Sequence, residues 1–402
     1  MKPSILGAWL SLASCLTLTA GCGDDPTSSG APTRLRPLNP VLVSEGREIF
    51  RYATFGNETF WTDTARLHEV ISSSVSPRTA LAVGLNVDAD ALPATLRQAL
   101  LAGQVALDNP ATTVALLKLG AVVGVDGTVE TVNGRDTLVR VGITCALCHS
   151  RVDASVAPGI GRRLDGHAAT DLNVGAIVAL SPAIPDARKA VMRAWGPGSY
   201  DPRTSRDGLN TPIRIPPAYG LHGVAKETYT GDGPVSYWNA YVAVTQMHGH
   251  GSFTDPRLGI DVRETPDQVT PLLPALAEYQ LSLAAPLAPA IDDAASVVRG
   301  KALFNGAARC ASCHLPGEQF TDVSRGRLHL PAETGMDPAY ADRTATRRYR
   351  TTPLRGLVQH APYFHDGSAA SLAAVVDHYD RVLSLHLTPS QQGDLVAYLR
   401  TL

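Results

Sequence analysis

Cys145, Cys148 and His149 form one Cys-x-x-Cys-His run, and Cys310, Cys313 and His314 form a second. Two thiols at this spacing can each add to a vinyl group of a porphyrin, and the histidine after the second thiol can then bind its iron. A Cys-x-x-Cys pair can also be a redox dithiol, half of a zinc site or a small-loop disulfide. The cysteine count argues against all three: of 6 cysteines, Cys15 lies in an apolar N-terminal run, Cys22 ends it, and the other four all fall in the two motifs. A zinc site built from both pairs would leave the two histidines without a purpose. The chain is therefore expected to carry two covalent c-type haems, attached at Cys145, Cys148, Cys310 and Cys313, with His149 and His314 as proximal iron ligands.

Lys2 precedes an uncharged run from Ile5 to Ala20, and Leu18-Thr19-Ala20-Gly21-Cys22 sets small residues directly before a cysteine. This is the pattern of a secretory signal, too short to span a bilayer. It resembles a bacterial lipoprotein signal, which implies cleavage after residue 21, acylation of Cys22 and a lipid anchor on the periplasmic side of a bacterial membrane. An ordinary signal peptide cut nearby gives the same export, and c-type haems are attached outside the cytoplasmic membrane. Residues 22–40, rich in Gly, Pro, Ser and Asp, read as a flexible tether. With 35 basic and 37 acidic residues and no run of like charge, nothing points to nucleic acid.

The elements that must position the motifs follow from periodicity. Ala294 to Phe304 reads as a helix with Gly300 and Phe304 on one face, and Thr388-Pro389-Ser390 starts another carrying Leu395, Val396, Tyr398, Leu399 and Leu402. With Cys310 to His314 between them, they resemble the terminal helices of a cytochrome c domain, in which the glycine permits a close crossing. Gly46-Arg47-Glu48-Ile49-Phe50 resembles the start of another such domain, and Pro271 to Leu283 its closing helix. A long insertion separates Phe50 from Cys145. Within it, Glu58 to Ser73, Asp90 to Ala102 and Ala111 to Leu119 read as helices, and Thr128 to Val141, around Asn133-Gly134, as a β-hairpin. The expected fold is mainly α: two cytochrome c-like domains, 41–287 with the insertion and 288–402, joined by long loops that suit 35 glycines and 29 prolines.

Phe320-Thr321-Asp322, Tyr349-Arg350-Thr351-Thr352-Pro353-Leu354-Arg355 and Ala361-Pro362-Tyr363-Phe364-His365-Asp366-Gly367 resemble the di-haem cytochrome c peroxidase and MauG-type family. The resemblance implies a distal ligand for the second haem on the helix Leu372 to Tyr379, methionine in one branch and tyrosine in the other; Tyr379 stands at that position. His378 and Met336 are the competing ligands. Around the first motif the likeness is looser. Gly159-Ile160-Gly161-Arg162 has arginine where the family often has a displaceable distal histidine, which leaves His167 as the nearest substitute; His68, Met192, Met247, His248 and His250 stay open. Gln246-Met247 stands where the family carries a glutamate that helps cleave peroxide. An amide cannot titrate near neutral pH, so His248 or His250 would have to move the proton. The family also implies a calcium ion, whose ligands this sequence does not place.

Three functions fit these residues. Electron transfer between periplasmic protein partners requires the fewest assumptions, because it needs only the haems. Peroxide reduction at the first iron, or a MauG-type oxidation suggested by Tyr379, is the alternative.

Overall fold

The computed structural model describes residues 35–402; the signal run and Cys22 lie outside them. Among the described residues no helix is long and apolar enough to cross a membrane.

Two helix pairs repeat one construction. Helix α1 (Pro40–Tyr52) opens on the Asn39 cap with proline in its first turn and buries Gly46, Ile49 and Phe50. About two thirds along the chain α6 (Leu273–Ser282) crosses it. Helix α7 (Ala294–Asn305), capped by Asp293, buries Gly300 and Phe304, and the last helix, α9 (Pro389–Leu399), crosses it from a Thr388/Gln391 capping box. In each pair a glycine meets the partner's backbone. A Cβ at Gly46 would lie 1.9 Å from Ala275 O, and one at Gly300 would lie 1.9 Å from Asp394 O. Four residues on, Phe50 meets Tyr279 edge-on at 5.4 Å and Phe304 meets Tyr398 at 5.3 Å. The spacing places glycine and phenylalanine on one helical face, as the sequence reading expects.

The insertion differs in detail from that reading. Glu58 to Ser73 is not one helix: a π-helical turn over Thr59–Thr64 gives way to α2 (Leu67–Ser74) through Arg66, which is left-handed at φ 54°. Ser76 then caps the short α3 (Pro77–Ala82). Pro93, which cannot donate a helix hydrogen bond, splits Asp90 to Ala102 into a 3₁₀ turn and α4 (Ala94–Leu101). The next helix, α5 (Pro110–Lys118), lies within a residue of the expected span. The hairpin is longer than expected. With β1 as the short strand Val87–Asp88, its arms are β2 (Val125–Val132) and β3 (Arg135–Ile143). Asn133 and Gly134 both take positive φ, 51° and 76°, as a two-residue I′ turn requires.

Four further two-stranded sheets, unforeseen in the sequence, tie loops together among the described residues. After His149, β4 (Ser150–Val152) pairs with β6 (Arg163–Asp165), while β5 (Ile160–Gly161) runs parallel to β1. These strands are two or three residues long, too short for periodicity to reveal.

Candidate functional site

The hairpin delivers the first motif. Its return strand is held two residues before Cys145 by the buried Asn57, whose Nδ2 donates to Ile143 O at 2.8 Å and whose Oδ1 accepts from Ile143 N at 3.1 Å. Asp165 fastens the far side. Its buried carboxylate accepts from Arg51 Nε on α1 at 2.6 Å, from Tyr279 Oη on α6 at 2.6 Å and from Ser150 Oγ at 2.7 Å. The residue directly after His149 is thus tied to both crossing helices.

Both motif histidines are half-buried in one arrangement. His149 Nδ1 lies 3.0 Å from Pro216 O, and His314 Nδ1 lies 3.0 Å from Phe320 O. A carbonyl accepts only from N–H, so each ring carries its proton on Nδ1 and keeps the Nε2 lone pair for a metal. Burial lowers His149 to about 4, and His314 is lowered for the same reason, so both are neutral imidazoles at neutral pH. Burial also pushes the Cys145 and Cys148 thiols up to about 12.

A cavity of about 420 Å³ opens beside the second motif. Cys310, Cys313 and His314 line it together with Tyr379 from α8 (Leu372–Val382), and Met336 lies in the same wall. His378 does not: its Nε2 is 2.9 Å from Thr334 O, outside the lining. Burial pushes the Tyr379 phenol up to about 12, and its hydroxyl has no hydrogen-bond partner among the described residues. The fit to a haem rests on Arg350. Its Nε and Nη1 are buried at this cavity without a hydrogen-bond partner among the described residues, and burial lowers the guanidinium to about 10 against the opposing pull of Glu227 and Tyr229. Buried guanidinium nitrogens without an acceptor are costly, and the propionates of a c-type haem are anions that would pair with them.

The two motifs share a wall. Pro216 accepts the Nδ1–H of His149, and its neighbour Pro217 lines the cavity at Cys310, as does Ala168. Behind them His167 packs edge-on against Tyr219 at 5.2 Å, and Tyr219 meets His360, another cavity residue, at 5.6 Å. The segment bearing His167 is bonded to the motif backbone, with Gly166 N donating to His149 O at 2.8 Å.

Gln246 and His248 face different surroundings. The half-buried Gln246 amide donates to Ser205 Oγ and Thr245 Oγ1, each at 3.0 Å. His248, left-handed at φ 62°, stacks on Phe60 at 3.5 Å, and burial lowers it to about 4. His250 Nδ1 lies 3.0 Å from Glu264 Oε2. None of the three lines the cavity at Cys310. Cys313, Asp322 and His329 bring ligand atoms within 4.8 Å of one another, but the cysteine belongs to the attachment motif, so the cluster offers no separate metal site. Sequence reasoning passed over Arg350, Asp165 and Pro216. Arg350 alone left a signal, as the one charged residue between Tyr349 and Leu354.

The chain matches no family model. It is similar to the methylamine utilization protein MauG of Methylorubrum extorquens, 34% identical over 159 residues, covering 32% of this chain and 42% of that protein. The cytochrome-c peroxidase IdrP1 of Pseudomonas sp. strain SCT is 31% identical over 148 residues, covering 26% of this chain and 39% of that protein. The chain thus spans less than half the length of these curated relatives. Among solved structures, a MauG-like protein associated with microbial copper homeostasis aligns with 49% of this chain and 77% of its own, at 18% identity and a TM-score of 0.35.

Proposed function

We propose that the chain is a MauG-type relative of the di-haem cytochrome c peroxidases and an exported oxidoreductase of the peroxidase or oxidase type, exchanging electrons with a periplasmic protein; the partial matches to MauG and to a cytochrome-c peroxidase support this reading. The relatives move the reading from a bare electron relay toward substrate oxidation. Bound at both motifs, c-type haem supplies a one-electron iron couple at each.

The chain's own residues would act as follows. Cys145 and Cys148 would fix one haem and Cys310 and Cys313 the other, while Pro216 O and Phe320 O hold the Nδ1 protons of His149 and His314 and so orient each Nε2. Arg350 would neutralise the acidic edge of the second haem. The observation that carries the reading is the shared wall, since the proline that orients His149 precedes the proline that lines the cavity at Cys310. Such contiguity suits electron exchange between the two sites.

At the first iron, proton handling would differ from the family pattern. Gln246 holds no titratable proton, and His248, stacked on Phe60 and lowered by burial, would be a weak base, so His250, paired with Glu264, is the other group that could carry the proton. At the second iron Tyr379 lines the cavity, which suits the MauG-type branch, and Met336 in the same wall is the ligand the peroxidase branch would use. Acylation at Cys22 and a periplasmic location belong to the same proposal, supported by the run that ends there. Steady-state oxidation of reduced cytochrome c by hydrogen peroxide tests it. Slow but peroxide-dependent turnover is expected, and no turnover above a haem-free control would reduce the function to a relay.

A further inference from the structure

The insertion holds a second cavity that haem chemistry does not use, about 240 Å³ between α4 and α5. Leu81, Leu96, Leu100, Val105, Leu116 and Ile160 form much of its wall. Its one side-chain hydroxyl, Thr112, already donates to Ala106 O at 2.9 Å. Water needs two to four polar partners to occupy a cavity, and this wall offers no free side-chain donor or acceptor. Left empty, a space of this size deprives its lining of dispersion contacts. The covering helix shows the consequence. Although α4 points Leu96 and Leu100 at the cavity, none of its residues is buried, and Leu101 is 66% exposed.

We propose that this cavity is a binding site for a small aliphatic molecule, whose entry seats α4 against α5. The absence of charged or free polar groups in the wall selects against acids, amines and alcohols. Its volume sets the size: since an apolar cavity of about 150 Å³ accepts benzene, this one takes a hydrocarbon of roughly six to eight carbons. The site is also linked to the first motif through the chain, because Ile160 lies on β5, which runs into the β6 strand that pairs with β4 directly after His149. Ligand and iron would therefore share one loop framework.

Thermal unfolding of the full-length haem-loaded protein with n-hexane as probe tests this. A saturable rise in Tm of roughly 2 °C is expected at ten times the Kd, and 1,6-hexanediol at equal concentration should give none. Ala111→Leu combined with Ala115→Leu fills the rim and should abolish the response; should that variant fold poorly, Leu100→Asp on the exposed lid should do the same. A wild-type Tm that does not saturate with hexane, an equal rise with the diol, or an undiminished rise in the folded variants would overturn the assignment.

Discussion

Replacing Gly300 with alanine tests the crossing that frames the second motif. The new Cβ would sit 1.9 Å from Asp394 O, 2.6 Å from Asp394 C and 2.9 Å from Tyr398 Cβ, where ordinary contact begins at 3.4 Å. Two of these three atoms are backbone, so no side-chain rotation relieves the overlap, and α7 and α9 must separate by about 1.5 Å, the shortfall at the closest atom. Overpacking typically costs roughly 1–3 kcal/mol, and this case belongs at the upper end even after crediting alanine's helix preference of about 1 kcal/mol. A net loss of roughly 2 kcal/mol lowers the Tm of a chain of this size by about 2–4 °C. Gly393, also in α9, has nothing within 4 Å of its would-be Cβ, so Gly393→Ala should gain helix propensity and raise Tm slightly. Calorimetry of the two haem-loaded variants beside wild type gives the answer. A Gly300→Ala protein as stable as Gly393→Ala would refute the close crossing.

Three other outcomes follow from the same geometry. Tyr379→Phe should change the ferric optical spectrum while His378→Ala leaves it unaltered, because only the tyrosine lines the cavity at His314. Arg350→Met should lower the reduction potential of the haem at His314 by on the order of 50–100 mV, as one positive charge acts across roughly 8–15 Å at an effective dielectric near 20; voltammetry reads the shift. Glu278, held at about 2 by Arg36 first and also by the Asn39 N–H, stabilises the fold above its ordinary value of 4.5 and loses that contribution as pH falls toward 2, so Glu278→Gln should flatten acid unfolding across that window.

The motifs were legible because their meaning is local. Three residue types at fixed spacing define each, and Gly300 and Phe304, four apart, announce a helical face that Gly46 and Phe50 repeat. The Asn133-Gly134 turn was legible for the same reason, since two positive φ values admit few other residues. What escaped depends on distant partners. Arg66 in a left-handed conformation breaks a segment whose periodicity reads as one helix, and nothing nearby in sequence marks it. His149 and Pro216 are 67 residues apart, so the wall common to both motifs emerges only from the fold. Asp165 joins α1, α6 and β4 through three donors far apart in the chain. Gln246 shows the converse: its place in a loose family pattern suggested the peroxide face, while its amide is bonded to Ser205 and Thr245.

Haem counting joined to a redox titration of the purified protein most directly tests whether this is a two-haem oxidoreductase with communicating sites. Two covalent haems per chain are predicted, with two one-electron steps and a potential at the His149 haem that shifts when the His314 haem is reduced. One haem per chain, or two that titrate without influence on each other, would contradict it.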